Sequence, residues 1–289
     1  MEVKKPLFIV GTGRCGSSIF HKILSYHPQV TWLSPWCRDN PSKPERNRLA
    51  MRLLDLPLPA TLVRKIVYTG EFYPFWSYYY QGFSEPCRDL YKEDVADRTK
   101  IRIREAMEEM LSPKRPRLLI KITGWPRVGF LKEIFPDAKF IHIYRDGRSV
   151  VNSWLNVHWW SGWRGPENWR WGELTPEQKA KWDEYGKSFV VLAAIEWKIL
   201  MTAYLKAKQT IPSKDFLEIS YEDLCQGPSE TFQMAATFAE LEWSTGFGET
   251  VKSFHLRNTN DKWQKDLNKV QQGMLCEYLK DTLQMYGYT

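Results

Sequence analysis

Four short apolar runs recur along the chain: Leu7–Val10, Leu118–Ile122, Lys139–Tyr144 (KFIHIY) and Phe216–Ser220. Runs that are apolar throughout, rather than alternating with polar residues, suit strands buried on both faces of a parallel sheet. Helical spacing follows each run. Ile19, Phe20, Ile23 and Leu24 line one side of a helix predicted over Ser17 to Tyr26, which Pro28 stops. Val128 to Ile134 reads as a short helix closed by Phe135-Pro136-Asp137, Arg148 to about Val157 as a third, and Ser229–Ala239 as a fourth. Strand and helix in alternation predict an α/β fold with a doubly wound parallel sheet flanked by helices.

Two long segments break the alternation. Residues 35–115 hold a proline- and aromatic-rich stretch and a charged helix around Asp97–Leu111. Residues 158–210 hold a tryptophan-rich loop and a long helix from about Pro176 to Lys208. Both are expected as insertions over the carboxyl edge of the sheet, where open α/β sheets bind ligands. No internal repeat, low-complexity tract or linker divides the chain, so residues 1–289 are expected to form one domain.

Composition narrows this picture only a little. With 43% hydrophobic residues in 289, a sizeable core is available. The net charge of +7 suits either an ordinary basic surface or a polyanionic ligand such as a nucleotide, a nucleic acid or a sulfated glycan. Cys15, Cys37, Cys87, Cys225 and Cys276 are dispersed, without CxxC or metal-type spacing, which predicts reduced thiols and a cytoplasmic protein. The amino-terminal apolar run, Pro6 to Val10, is too short for the core of a signal peptide. The longest apolar stretch, Phe189 to Leu205, is interrupted by Glu196 and Lys198 and reads as a buried helix rather than a membrane span.

The first chemical motif is Gly11-Thr12-Gly13-Arg14-Cys15-Gly16-Ser17-Ser18, between the first strand and the first helix. Glycines let backbone amides approach an anion, and the helix amino terminus adds unpaired N–H groups and a favourable dipole. Gly11 and Gly16 have the separation of a Walker A loop, but Ser17 stands where that loop has lysine, and the charge comes earlier, at Arg14. The KFIHIY strand ends in Arg145 rather than in an acid that would hold Mg²⁺. GxGxxG also occurs at Gly11, Gly13 and Gly16, without the acidic residue that holds a dinucleotide ribose. A tight strand-to-helix turn with no ligand is the plainer alternative. The second motif, Arg145-Asp146-Gly147-Arg148-Ser149-Val150-Val151-Asn152-Ser153-Trp154, sets a guanidinium at a strand end and a hydroxyl on the next helix, a pair suited to a phosphate monoester.

Together the two motifs resemble those of sulfotransferases that use 3′-phosphoadenosine-5′-phosphosulfate (PAPS). FIVGTGRCGSSIFHKIL is similar to their 5′-phosphosulfate loop in its arginine-containing form, known from bacterial and protein-modifying members. KFIHIYRDGRSVVNSW is similar to their 3′-phosphate motif. LEISYEDL and DKWQKDL resemble the segments that follow in the family. The resemblance implies a P-loop-like fold, PAPS as sulfuryl donor and adenosine 3′,5′-bisphosphate (PAP) as product. It assigns Gly13, Arg14, Cys15, Gly16, Ser17 and Ser18 to the 5′-phosphosulfate, and Arg145 and Ser153 to the 3′-phosphate. Tyr221 would lie near the adenine, Lys262 would be a looser phosphate contact, and Lys121 would approach the acceptor side. Gly147 replaces the usual proline, which is expected to loosen that turn. No metal is implied.

In such transfer, charge builds on the oxygen bridging to the leaving phosphate, so Arg14 is the expected catalytic cation, assisted by Ser17. The stretch TWLSPW lacks the glutamate that related protein-modifying enzymes place there, which leaves the general base open. Glu71, in TGEFYPFW, is the first candidate because an aromatic setting would raise its pKa; an exposed loop carboxylate is the plain alternative. Asp39, Glu45 and Glu85 are others. His158, beside Trp159 and Trp160, suits a base or an acceptor contact, whereas His142 reads as a core residue and His21 and His27 as structural. Two aromatic clusters, Trp154 to Trp182 and Phe72 to Tyr80, either fill the core or stack on an acceptor, for which a carbohydrate or glycolipid hydroxyl is preferred over other hydroxyls or amines. A P-loop kinase or NTPase, and a non-enzymatic module binding carbohydrate or nucleic acid, are the rival readings; the second leaves the paired loops unexplained.

Overall fold

The computed structural model describes residues 1–84 and 87–289, so the alternative base Glu85 lies outside the described residues. Five parallel strands, β1 (Leu7–Gly11), β2 (Val30–Thr31), β3 (Arg117–Thr123), β4 (Lys139–Tyr144) and β5 (Phe216–Ser220), form one sheet in the order β2-β3-β1-β4-β5. Leu7 is in register with Leu119 on one side and Lys139 on the other. The chain first builds the β2–β3 side, then crosses β1 to build the β4–β5 side. That reversal opens a crevice beyond the carboxyl ends of β1, β3 and β4, the usual ligand position in such sheets.

Both faces of β1 are covered, which is why its sequence shows no alternation. Phe8 and Val10 join Ile120, Ile122 and Phe140 in one core cluster. Leu7 and Ile9 join Leu119, Ile141 and Ile143 in another, beneath the helices Ser17–Leu24 and Pro228–Ala239. A third cluster joins the helices Gly147–Leu155, Phe189–Gln209 and Lys269–Met285 around Trp154 and Trp197.

Three expectations change. β2 is only two residues long, too short to carry a period, and was not anticipated. The helix expected from Pro176 to Lys208 is two helices, Pro176–Glu184 and Phe189–Gln209. Gly186 and Lys187 both adopt positive φ, and their N–H groups bond back to Asp183 and Trp182 at 2.9 Å each. This paired closure is a Schellman cap, which a glycine just past a helix end favours. Finally, residues 35–115 do not simply cover the sheet edge. Their helix Asp97–Met110 lays Ile103, Met107 and Met110 on the sheet face with Phe8 and Phe140. Within the described residues no helix is long and apolar enough to cross a membrane.

Candidate active site

The glycine-rich turn leaves β1 and enters the helix Ser17–Leu24 through three residues of positive φ, Gly13 (φ 82°), Arg14 (φ 55°) and Gly16 (φ 90°). A side chain on Gly16 would be strained by that φ and would lie 2.6 Å from the ring of Tyr221, so the turn and the start of the helix Tyr221–Gln226 after β5 pack as one unit. Arg14 occupies the same region without glycine's freedom. Such local strain is characteristic of functional turns and leaves the guanidinium outside the core. Cys15 points the other way and is fully buried among apolar residues, so it can offer a ligand only its backbone.

Arg145 emerges from β4 and is 8% exposed. Its Nη1 donates to the carbonyl of Arg14 at 3.1 Å, its Nε to Asn260 Oδ1 at 2.7 Å and its Nη2 to Thr259 Oγ1 at 3.0 Å. Its guanidinium carbon sits 4.3 Å over the Tyr221 ring. Arg14 Nε in turn donates to Ser153 Oγ at 2.7 Å. The two sequence motifs therefore touch. This fits a nucleotide phosphorylated at 3′ and 5′, because both groups hang from one ribose. Gly147 does not loosen the second motif. A Cβ there would stand 2.9 Å from the Trp197 ring, so glycine admits the close packing of the two helices. Asp146 accepts from the Arg148 N–H at 2.8 Å and caps the helix in the way the turn requires.

Lys121, on β3, is nearly buried. Its Nζ donates to Ser18 Oγ at 2.7 Å and pairs with Glu71 Oε1 at 2.9 Å. Thr123, at the end of the same strand, donates to that carboxylate at 2.8 Å, and Tyr73 donates to the Thr123 carbonyl at 2.7 Å. Glu71 is thus neither an exposed loop carboxylate nor set in purely aromatic surroundings: a cation and a hydroxyl hold it beside the loop. A cavity of about 540 Å³ is lined by Arg14, Ser17, Glu71, Arg145, Ser153 and Tyr221, and also by residues of the tryptophan-rich segment.

Several expected residues stay apart from it. His158 is exposed and does not line the cavity, and Lys262 is exposed at the start of the helix Lys262–Asp266. Asp39 is paired with Arg38 on the surface at 2.7 Å, which lowers its carboxyl pKa. Glu45 begins a helix outside the lining. His142 is buried in β4, stacked 4.1 Å from Tyr204, and burial lowers its pKa; burial also pushes His21 down to about 3. Phe75, Trp76 and Phe83 are fully buried core, with Trp76 stacked on Phe83 at 4.5 Å.

Of the other lining residues, the tryptophans belong to the cluster expected either to fill the core or to stack on an acceptor, whereas Ser161, Arg170 and Glu196 were not anticipated. Trp159, Trp160, Ser161, Arg170, Trp171 and Glu196 face the same cavity. Glu196 is 1% exposed, and its Oε2 accepts the Trp160 indole N–H at 2.7 Å. Burial raises its pKa to about 8 against the smaller opposing pull of Trp160, Arg170 and Trp171. A charge within the apolar run Phe189–Leu205 was the one sequence signal for it. Thr259 and Asn260 carried no signal, since only the fold brings them to Arg145.

The chain belongs to the sulfotransferase family, whose sequence profile matches residues 6–245. It is 24% identical over 257 residues to the omega-hydroxy-beta-dihydromenaquinone-9 sulfotransferase Stf3 of Mycobacterium bovis and to that of Mycobacterium tuberculosis. The match takes in 77% of this chain, which spans only 59% of the length of those relatives. The fold is similar to that of sulfotransferase STF9 from Mycobacterium avium, with a TM-score of 0.61 at 16% identity over 100% of this chain and 78% of that one. It is also similar to STF1 from Mycobacterium tuberculosis H37Rv, with a TM-score of 0.52 at 16% identity over 91% and 76% of the two chains.

Proposed function

We propose that this cavity transfers a sulfuryl group from PAPS to a hydroxyl or amine of a small-molecule acceptor. One observation carries the reading: Arg145 and Ser153 of the second motif both bond Arg14 of the first, at 3.1 and 2.7 Å. A single bisphosphorylated nucleotide then has a guanidinium and a hydroxyl for its 3′-phosphate, and loop amides, Arg14, Ser17 and Ser18 for its 5′-phosphosulfate. The residues present fit that donor. The acceptor oxygen attacks sulfur, the bond from sulfur to the bridging oxygen breaks, and that oxygen leaves as part of PAP. Arg14 stabilises the charge growing there. Glu71 accepts the acceptor's proton, and Lys121 holds its carboxylate in position.

For the acceptor body, a carbohydrate or glycolipid hydroxyl is the preferred reading, supported by the flat indoles of Trp159, Trp160 and Trp171 on the cavity wall. The similar mycobacterial proteins are named for a hydroxylated menaquinone. Titration calorimetry with PAP, and separately with ATP and Mg²⁺, tests the donor: tight PAP binding is expected, and a preference for ATP with metal would favour the kinase reading instead.

A further inference from the structure

Three polar residues that line the cavity, Ser161 and Trp171 of the tryptophan-rich segment and Glu196 of the helix Phe189–Gln209, belong to neither nucleotide motif. Ser161 Oγ and Trp171 Nε1 are both buried and neither has a hydrogen-bond partner. Both residues line the cavity, as does Glu196. The Trp171 N–H lies close enough to help hold the Glu196 pKa down, yet completes no hydrogen bond of its own. Buried donors without partners cost free energy in the empty site, and a ligand able to complete them recovers it. Around them stand apolar ring faces, and Trp125 packs against Trp171 at 6.0 Å.

We propose that Ser161, Trp171 and Glu196 form an acceptor subsite that binds a second polar group next to the one that is sulfated, so that the acceptor is a ring polyol such as a sugar rather than a simple alcohol on a hydrocarbon chain. This rests on reading the cavity as a sulfuryl-transfer site. The chemistry of the three groups selects the class. An indole N–H can only donate, a serine hydroxyl both donates and accepts, and a carboxyl whose pKa burial lifts to about 8 can do either near neutral pH. Neighbouring hydroxyls on a sugar ring offer donors and acceptors side by side, and their C–H faces suit indole rings. A hydrocarbon alcohol has one hydroxyl, which the transfer itself engages, and would leave Ser161 Oγ and Trp171 Nε1 unpaired and Glu196 with only its Trp160 hydrogen bond. Sites built to hydrogen-bond a ligand hydroxyl reject analogues lacking it strongly. Arg170 lines the same wall, but its Nη2 is already bonded to the Ser84 carbonyl at 2.8 Å.

The test is equilibrium binding to the PAP-saturated protein, read by tryptophan fluorescence and calorimetry. Hexyl β-D-glucopyranoside and 1-hexanol share one tail and differ in the polyol. The glucoside is expected to bind at least about tenfold more tightly than the alcohol. Ser161→Ala and Glu196→Gln are each expected to weaken glucoside binding about tenfold while shifting hexanol binding far less. The glutamine keeps an oxygen for the Trp160 N–H, and Ser161→Ala removes only one hydroxyl, so at least one variant is expected to fold. PAP affinity is measured alongside each. Failure of wild-type protein to bind PAP would sink the donor reading; normal PAP binding with hexanol equal to or tighter than the glucoside would overturn the subsite alone. So would equal losses for both ligands in the variants.

Discussion

The two sets of residues lining the cavity are built in opposite ways. On the nucleotide side several of the charged side chains are already bound. Arg145 makes three hydrogen bonds, Arg14 reaches Ser153, and Lys121 bridges Ser18 and Glu71. On the tryptophan side Ser161 and Trp171 keep unpaired donors, and the buried acid Glu196 lines the same cavity. A frame bonded in advance holds its charges where a reaction will need them, at no cost in reorganisation. An incompletely bonded one derives its specificity from the ligand that completes it. Chemistry and choice of acceptor are thereby entrusted to different parts of one cavity.

That division can be broken experimentally. The largest effect is expected from Arg14→Ala, which should lower turnover about 10²–10³-fold in a labelled-PAPS transfer assay while PAP binding changes much less; near-normal turnover would remove Arg14 from the chemistry. Glu71→Gln should cost about a hundredfold in kcat with a small change in KM, whereas a pure KM effect would make Glu71 a binding group. Arg145→Ala should weaken PAP about 30-fold or more by calorimetry and scarcely alter the 3′-dephosphorylated nucleotide. Equal losses for both would dissolve the 3′-phosphate assignment.

Gly16→Ala should destabilise the fold by roughly 1–3 kcal/mol in denaturant unfolding, since the new methyl is strained and meets the Tyr221 ring. The smallest expected change concerns pH. With its pKa raised from the ordinary 4.5 to about 8, Glu196 keeps in the folded chain a proton that the unfolded chain releases. Stability on this account is greatest at low pH and declines as pH rises through that window. Glu196→Gln should flatten the fall in melting temperature between about pH 5 and about pH 8 by a few degrees; an unchanged slope would mean that the carboxyl titrates normally.

Much of the nucleotide side was legible in the chain. Four of the five strands, the glycine turn and the arginine at the end of KFIHIY all depend on residues adjacent in sequence, where periodicity and turn chemistry act directly. The two-residue β2 was too short to show a period. The Schellman cap at Gly186 and Lys187 was hidden because helical residues flank it on both sides. The tryptophan side was the least legible. The indoles of Trp76, Trp159 and Trp171 are alike in sequence, yet the first is core, the second is 54% exposed and the third keeps an unpaired N–H at the cavity.

By itself, the sequence determined which stretches could be buried strands, where an anion could meet a helix start, and which cation stood beside it, because each is set by neighbours a few residues away. Only the tertiary structure decided that Arg145 meets Asn260, that Lys121 meets Glu71 and that Ser161, Trp171 and Glu196 line one cavity. Those meetings join residues up to 115 positions apart, and the burial that sets their chemistry exists only once the sheet has gathered its loops.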